Sequence, residues 1–571
     1  MAEHDLVIRA GTVVDGTGSP PRTADVSVDG DRITEVGAVA TAGRREVDAD
    51  GLLVTPGFVD IHCHYDGQAT WDSRLLPSAW HGVTTIVMGN CGVGFAPVRP
   101  ADHDRLIELM EGVEDIPGAA LHEGLEWSWQ TFGEYLDALE ARPHDIDFAA
   151  QVPHGALRLH AMGGRGSDHT ARPTEEEIAE MGRLAADGVA AGALGFTTSR
   201  TKNHRTSRGE YTPSLTAGRD ELVGIAAGLG GLGAGVLQVV SDFRDVDGEM
   251  ETLRAMASTS GRPLSISVAA GSSGGDNHRR VLAAIEAMNA EGLEVRAQVA
   301  TRGIGVLLGL QASINPFSRC PSYREVADLA LPERLVALRE PARRAAIVAE
   351  WPDRPLPYGE AFTRVFTLGD PPDYEPSAEA SVAAEAARQG RPAVELAYDL
   401  LLADEGRTLL YSPILNYPGG NLDTARELLT HPYAVPGLGD GGAHVGTICD
   451  ASFPSTLLTH WCRDRDRGRL DLPFVIRGQC RETARTVGLH DRGVLAPGYR
   501  ADINVIDFDA LRIHPPHLEF DLPADGKRLL QGADGYRPTF VAGQEVYADG
   551  IATGALPGRL VRGAQPAPVP A

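Results

Sequence analysis

Cysteine is scarce in this chain: six residues in 571, none spaced as C-x-x-C. A chain of this length with so few thiols has no disulfide framework. Long hydrophobic runs are missing too. No stretch reaches the roughly 18 apolar residues that cross a bilayer, so no membrane span is expected. The opening residues, MAEHDLVIRAGTVVDG, carry neither a basic leader nor an apolar segment. No signal peptide is expected, and the cytoplasm is the default location. Positive charge is in deficit: 52 Lys and Arg stand against 78 Asp and Glu, a formal net charge of −26. Broad nucleic-acid or anionic-membrane surfaces need basic patches, so neither partner is expected. The acid is dispersed along the chain and names no substrate. Internal repeats and low-complexity tracts are also lacking.

What is present is material for a large core. Hydrophobic residues make up 43% and charged residues 23%, as in ordinary globular proteins. The length suits one large catalytic domain with additions. Residues 1–56 alternate apolar and polar positions around Asp-Gly turns, a hairpin signature. Residues 486–571 have the same texture in GYRADINVIDFD and RPTFVAGQEVYADGIAT. Two β-rich ends predict one small β-sandwich built from both termini.

The middle, residues 57–485, alternates strands with helices. Continuous apolar runs such as GVTTIVMG and AGVLQVVS fit strands buried on both faces of a parallel sheet. Eight are expected, at 58–62, 83–89, 146–152, 193–198, 235–241, 264–269, 294–300 and 434–439. Helical patterns lie between them; in TEEEIAEMGRLAADGVAAG, Thr174 and Glu177 are spaced as a capping box. Eight such units predict an α/β fold of the (β/α)₈ TIM-barrel type. An open doubly wound sheet is the alternative. A long segment at about 303–432 interrupts the series before the last strand. Its composition predicts a helical insertion covering one end of the barrel.

The stretch GFVDIHCHYD ends the first barrel strand. Residues two apart on a strand share a face, so His62 and His64 point together and Cys63 points away. Barrel enzymes build their sites at this strand end, and a zinc ion needs imidazoles to converge. Two ordinary histidines in a loop are the competing reading. The second strand runs into VMGNCGVGFAP, presenting Cys91, and the eighth into GLGDGGAHVG, presenting Asp440. Singly, Cys91 reads as a small buried residue and Asp440 as turn chemistry. Together, three strand ends offer ligand-type side chains.

These motifs, with HGVTTIVMGNCG, RGVLAPGYRADINVID and GALPGRL, resemble the amidohydrolase superfamily, specifically its N-acyl-D-amino-acid deacylase (D-aminoacylase) branch. The resemblance runs over nearly the whole chain. It implies a zinc-bearing (β/α)₈ barrel beside a β-sandwich, His62, His64 and Cys91 as metal ligands, and Asp440 as catalytic acid/base.

The chain departs from that branch at two strand ends. Where relatives carry histidine after strands five and six, this sequence has Asp242 and Val268. Asp242 can replace an imidazole as an oxygen ligand; Val268 cannot. Zinc with ionised Cys91, Asp242 and Asp440 together would be net negative and a poor Lewis acid. The expectation is therefore one tightly held Zn²⁺ rather than two, on His62, His64, Asp440 and Asp242, with Cys91 secondary.

A small-molecule substrate carrying an amide and a carboxylate needs a cation to hold it. Arg200 and Lys202 after strand four and Arg302 after strand seven are the candidates, with solvated loop charge as the alternative. His154 and His444 are candidate oxyanion donors; His204 also follows strand four. Three functions fit: zinc-dependent deacylation of an N-acyl-D-amino acid, hydrolysis of a cyclic amide or deamination of a small heterocycle, and a metal-poor barrel serving as a binding subunit. Nothing in the sequence sets an oligomeric state.

Overall fold

The continuous apolar runs become the staves of a closed parallel barrel. The computed structural model describes residues 3–271, 275–353 and 362–569. Its barrel strands are β1 (Phe58–Asp60), β2 (Val83–Met88), β3 (Asp147–Ala150), β4 (Gly195–Arg200), β5 (Val236–Ser241), β6 (Leu264–Ser267), β7 (Val295–Val299) and β8 (Ala434–Pro436). Every residue of β2 is buried, as a strand covered on both faces requires.

Parallel pairing runs β1–β2–β3 and β4–β5–β6–β7–β8. Between β3 and β4 the ladder jogs at Gln151, and the two-residue strand Val152–Pro153 pairs with β4. The ring closes between β8 and β1. Asp440 N–H donates to the His62 carbonyl at 2.9 Å, and His64 N–H donates to the Gly441 carbonyl at 2.8 Å. The contact that closes the barrel is thus the one that brings the eighth strand end beside the histidine pair.

Helices lying between these strands in the chain include α1 (His103–Glu114), α2 (Phe132–Glu140), α3 (His154–Met162), α4 (Glu175–Ala191), α5 (Arg219–Leu232), α6 (Val246–Ser260), α7 (Asn277–Ala290) and α8 (Asp423–Leu429). The capping box opens α4 as expected: Thr174 accepts from Glu177 N–H, and Glu177 reaches back to Thr174 N–H. Such a cap contributes about 1 kcal/mol. Among the described residues no helix is long and apolar enough to cross a membrane.

Both chain ends build one nine-stranded sheet. Ile503–Ile506 runs antiparallel to Leu53–Pro56, stitching the C-terminal strands onto the N-terminal ones. Ile8, Val26, Val54, Ile503 and Phe540 share its core.

The segment between β7 and β8 differs from the helical insertion expected of it. Strand Ile304–Leu308 pairs antiparallel with Leu410–Leu415, which also pairs with Phe366–Thr367. This small sheet roots the insertion on the barrel. The helices beyond it enclose their own core, with Phe317, Leu338, Ile347 and Leu401 buried. A short apolar run whose partner lies about a hundred residues away carries no local hairpin signal. Its backbone polar groups nevertheless need partners once buried, and tertiary pairing supplies them.

Candidate metal centre

Strand alternation at the end of β1 does what it predicts: the His62 and His64 rings turn to one side, with centroids 5.4 Å apart. Both residues are 1% exposed. Past β2, Gly89 takes φ +83, and a Cβ there would sit 2.3 Å from the Gln151 carbonyl oxygen. Only glycine lets the chain turn so tightly. Two residues on, Cys91 itself adopts φ +56, which brings Sγ to 3.3 Å from His62 Nε2. Past β8, a Cβ on Gly439 would lie 2.2 Å from Asp60 Oδ2. Asp440 follows at φ +49. Its Oδ1 stands 3.5 Å from His62 Nε2 and 3.7 Å from His64 Nε2. Cys91, Asp440 and His444 are all left-handed, a strain of about 1–3 kcal/mol each that gathers where the backbone must aim a side chain.

Ligand atoms of His62, His64 and Cys91 lie within 4.8 Å of one another, all buried. Zinc–nitrogen and zinc–sulfur bonds of about 2.0–2.3 Å set tetrahedral ligand atoms about 3.3–3.7 Å apart. The separations of 3.3, 3.5 and 3.7 Å match that spacing. The outer partners match as well. His62 Nδ1 donates to Gln298 Oε1 at 2.8 Å, leaving Nε2 free to coordinate. His64 Nδ1 lies 3.1 Å from Glu114 Oε1. His64 Nδ1 and both Glu114 carboxylate oxygens are buried without a hydrogen bond. These residues fit a divalent cation.

Electrostatics agree. Burial pushes Asp440 up to about 7. Burial, then the charges of Glu114 and Asp440, raise Cys91 well above the ordinary thiol. Burial lowers His62 to about 4, and burial with the neighbouring imidazoles lowers His64 well below its usual value. The imidazoles are thus neutral, the form that binds metal. A dication among these groups favours the thiolate and the carboxylates.

The donors open on a cavity of about 1200 Å³ whose lining includes His62, Cys91, Asp440, His204 and His444. Lys202, Asp242 and Val268 also line it, and the insertion contributes Ile304, Val306 and Ile414. His204 Nδ1 is 2.9 Å from Ser199 Oγ, and burial, then His444 and His62, lowers its pKa to about 3.

Several expected residues are placed otherwise. Asp242 Oδ1 accepts from Thr201 Oγ1, and Oδ2 accepts from Lys202 N–H at 3.1 Å and Arg244 Nε at 3.2 Å. It braces the loop that carries Lys202 and His204 and lies outside the three-residue donor cluster. Cys91, expected to be secondary, is inside that cluster. Arg302 is buried in an ion pair with Asp450 at 3.0 Å, with its guanidinium 3.5 Å from the Tyr374 ring. A buried guanidinium needs a fixed carboxylate, so Arg302 cannot serve as the substrate's cation. Arg200 is held by Glu249 at 2.6 Å and by the Ala217 carbonyl. His154, fully buried, spends Nδ1 on Thr198 at 2.8 Å and Nε2 on Glu221 at 3.0 Å. Arg200, Arg302 and His154 are absent from the cavity lining, whereas Lys202 and His444 are part of it.

Gln298 and Glu114 escaped the sequence reading. Gln298 had a faint signal, an uncharged polar residue inside the apolar run of β7. Glu114, at the end of a helix in LMEGVED, had none.

A (β/α)₈ barrel that gathers H-x-H from β1, a thiol beyond β2 and a carboxylate beyond β8 is a barrel built around a metal centre. The chain belongs to the amidohydrolase family, which it matches over residues 45–547, and lies in the D-aminoacylase branch. It is 35% identical to the D-aminoacylase of Alcaligenes xylosoxydans xylosoxydans over 220 residues, 38% of this chain and 40% of that one. The chain therefore matches about two fifths of that relative's length. A crystal structure of D-aminoacylase superposes over 98% of this chain and all of the other, with a TM-score of 0.65 at 25% identity. N-acyl-D-glutamate deacylase from Bordetella bronchiseptica, solved with zinc and a phosphonate mimic of the tetrahedral intermediate, covers the same shares with a TM-score of 0.64 at 24% identity.

Proposed function

We propose that the protein is a zinc-dependent amidohydrolase that removes the acyl group from an N-acyl-D-amino acid. The observation that carries this reading is the cluster of His62, His64 and Cys91 with Asp440 Oδ1 at 3.5 and 3.7 Å from the two imidazoles, facing one large cavity. The D-aminoacylase relatives supply the substrate class.

His62, His64 and Cys91 would hold the ion, with Asp440 at its edge. Zinc supplies an electrophile that polarises an amide carbonyl and acidifies water. The chain's residues do the rest. Asp440 takes a proton from the attacking water and returns it to the leaving nitrogen. Gln298 fixes the His62 tautomer. Lys202, in the cavity wall with no carboxylate partner among the described residues, provides the cation for the substrate carboxylate. His204, anchored by Ser199, faces the same space as a donor to developing oxyanion charge.

Zinc-loaded protein should release free amine from N-acyl-D-amino acids and lose that activity on chelation. Ring opening of a cyclic amide, or ammonia release from a heterocycle, without amine release from any N-acyl amino acid would overturn the deacylase reading. Failure to retain any transition metal would overturn the metal reading itself.

A further inference from the structure

Among the described residues, Glu114 is a buried carboxyl with both oxygens lacking a hydrogen-bond donor. It ends α1 and is fully buried. The neighbouring charges that bear on it, Asp440 and Asp66, are both acidic. Its own contacts are two imidazoles. Oε1 lies 3.1 Å from His64 Nδ1, and Oε2 lies 3.8 Å from His444 Nε2. The His444 ring is also held by the Val113 carbonyl, one residue before Glu114. Backbone geometry reinforces the row, since Val445 N–H donates to the Glu114 carbonyl at 3.2 Å. The end of α1 is thereby tied to the β8 loop that carries Asp440.

A buried carboxylate without donors is expensive unless a positive charge compensates it. Among the described residues, no arginine or lysine forms an ion pair with it. The donor cluster on the far side of His64 is where that charge can sit. We propose that Glu114 is a positioning residue that accepts the Nδ1 proton of His64, aims Nε2 into the metal centre, and acts as the internal counter-ion of the bound cation. Its second oxygen faces His444 Nε2 at 3.8 Å, beyond hydrogen-bond reach. The inference rests on the metal reading above and adds a residue outside the set of direct donors.

The two roles make opposite predictions for one substitution. Glu114→Gln keeps the shape and an acceptor for His64 but removes the charge. Metal-free Glu114→Gln should melt at a higher temperature than metal-free wild type, because folding no longer has to bury an acidic side chain without a donor. Its zinc affinity, measured by competition with a chromophoric chelator, should fall about 10–100-fold. Glu114→Asp keeps the charge but withdraws it by one methylene. That variant should lose zinc affinity without the rise in metal-free melting temperature. Equal zinc affinity in wild type and Glu114→Gln, or a metal-free melting temperature that falls in Glu114→Gln, would overturn the proposal. Wild type that takes up no zinc would overturn the metal reading and this inference with it.

Discussion

Gln298 Oε1 accepts from His62 Nδ1 at 2.8 Å across 236 residues of sequence, inside the barrel. The bond runs from β7 to β1 and leaves His62 Nε2 bare toward Cys91 and Asp440. Such outer partners typically contribute 10–100-fold to metal affinity. Gln298→Leu should therefore weaken zinc binding by about that factor in a chelator competition. An unchanged affinity would mean that the bond is mere packing.

In the proposed mechanism Asp440 moves a proton, while His62, His64 and Cys91 would hold the ion. Asp440→Asn should lower kcat by roughly 10²–10⁴ while purified protein keeps most of its zinc by elemental analysis. Loss of metal alongside activity would show that ligation is the residue's main role.

For Asp242 the structure predicts the reverse division. It accepts three hydrogen bonds, from Thr201 Oγ1, the Lys202 N–H and Arg244 Nε. Asp242→Ala should raise KM for a carboxylate substrate, as Lys202 and His204 lose their support, with zinc content unchanged. A drop in zinc content would restore it as a ligand.

Arg302 separates structural from substrate cations. Removing one member of a buried ion pair leaves the other uncompensated and costs about 3–5 kcal/mol. Arg302→Ala should lower stability by that order in denaturant melts, whereas a substrate-binding residue would alter KM alone.

Glu375 sets an acid limit. It belongs to the insertion and meets Arg465 at 2.8 Å and His460 at 3.0 Å, beyond β8. Burial opposes its ionisation, but Arg465, His460 and the Leu422 N–H outweigh burial and hold it far below the usual carboxylate range. With the folded pKa depressed, its stabilisation is complete above the unfolded value of about 4.3 and is lost as pH falls toward the folded one. Glu375→Gln should melt below wild type at pH 7, with a gap that is constant down to about pH 5 and narrows below it. A gap independent of pH down to 3 would refute the assignment.

The barrel was legible in the sequence because its signals are local. Apolar runs, turn residues and the Thr174–Glu177 cap are read within a few positions, and the strand period alone dictates that His62 and His64 share a face. The β-rich ends were legible for the same reason. Their union into one sheet needs the antiparallel pairing of Ile503–Ile506 with Leu53–Pro56.

What the sequence by itself determined was the inventory: which strand ends carry imidazole, thiol and carboxylate. The tertiary structure decided their allegiance. Asp242 and Arg302 look available in a linear chain, but each finds partners in space that claim its hydrogen bonds. Cys91 gained its place from a left-handed turn that residue type does not announce. Glu114 became part of the centre only because α1 packs its end beside the loop after β8. Ligand identity follows from chemistry carried along the chain. Ligand geometry follows from barrel closure, which joins residues that no local rule connects.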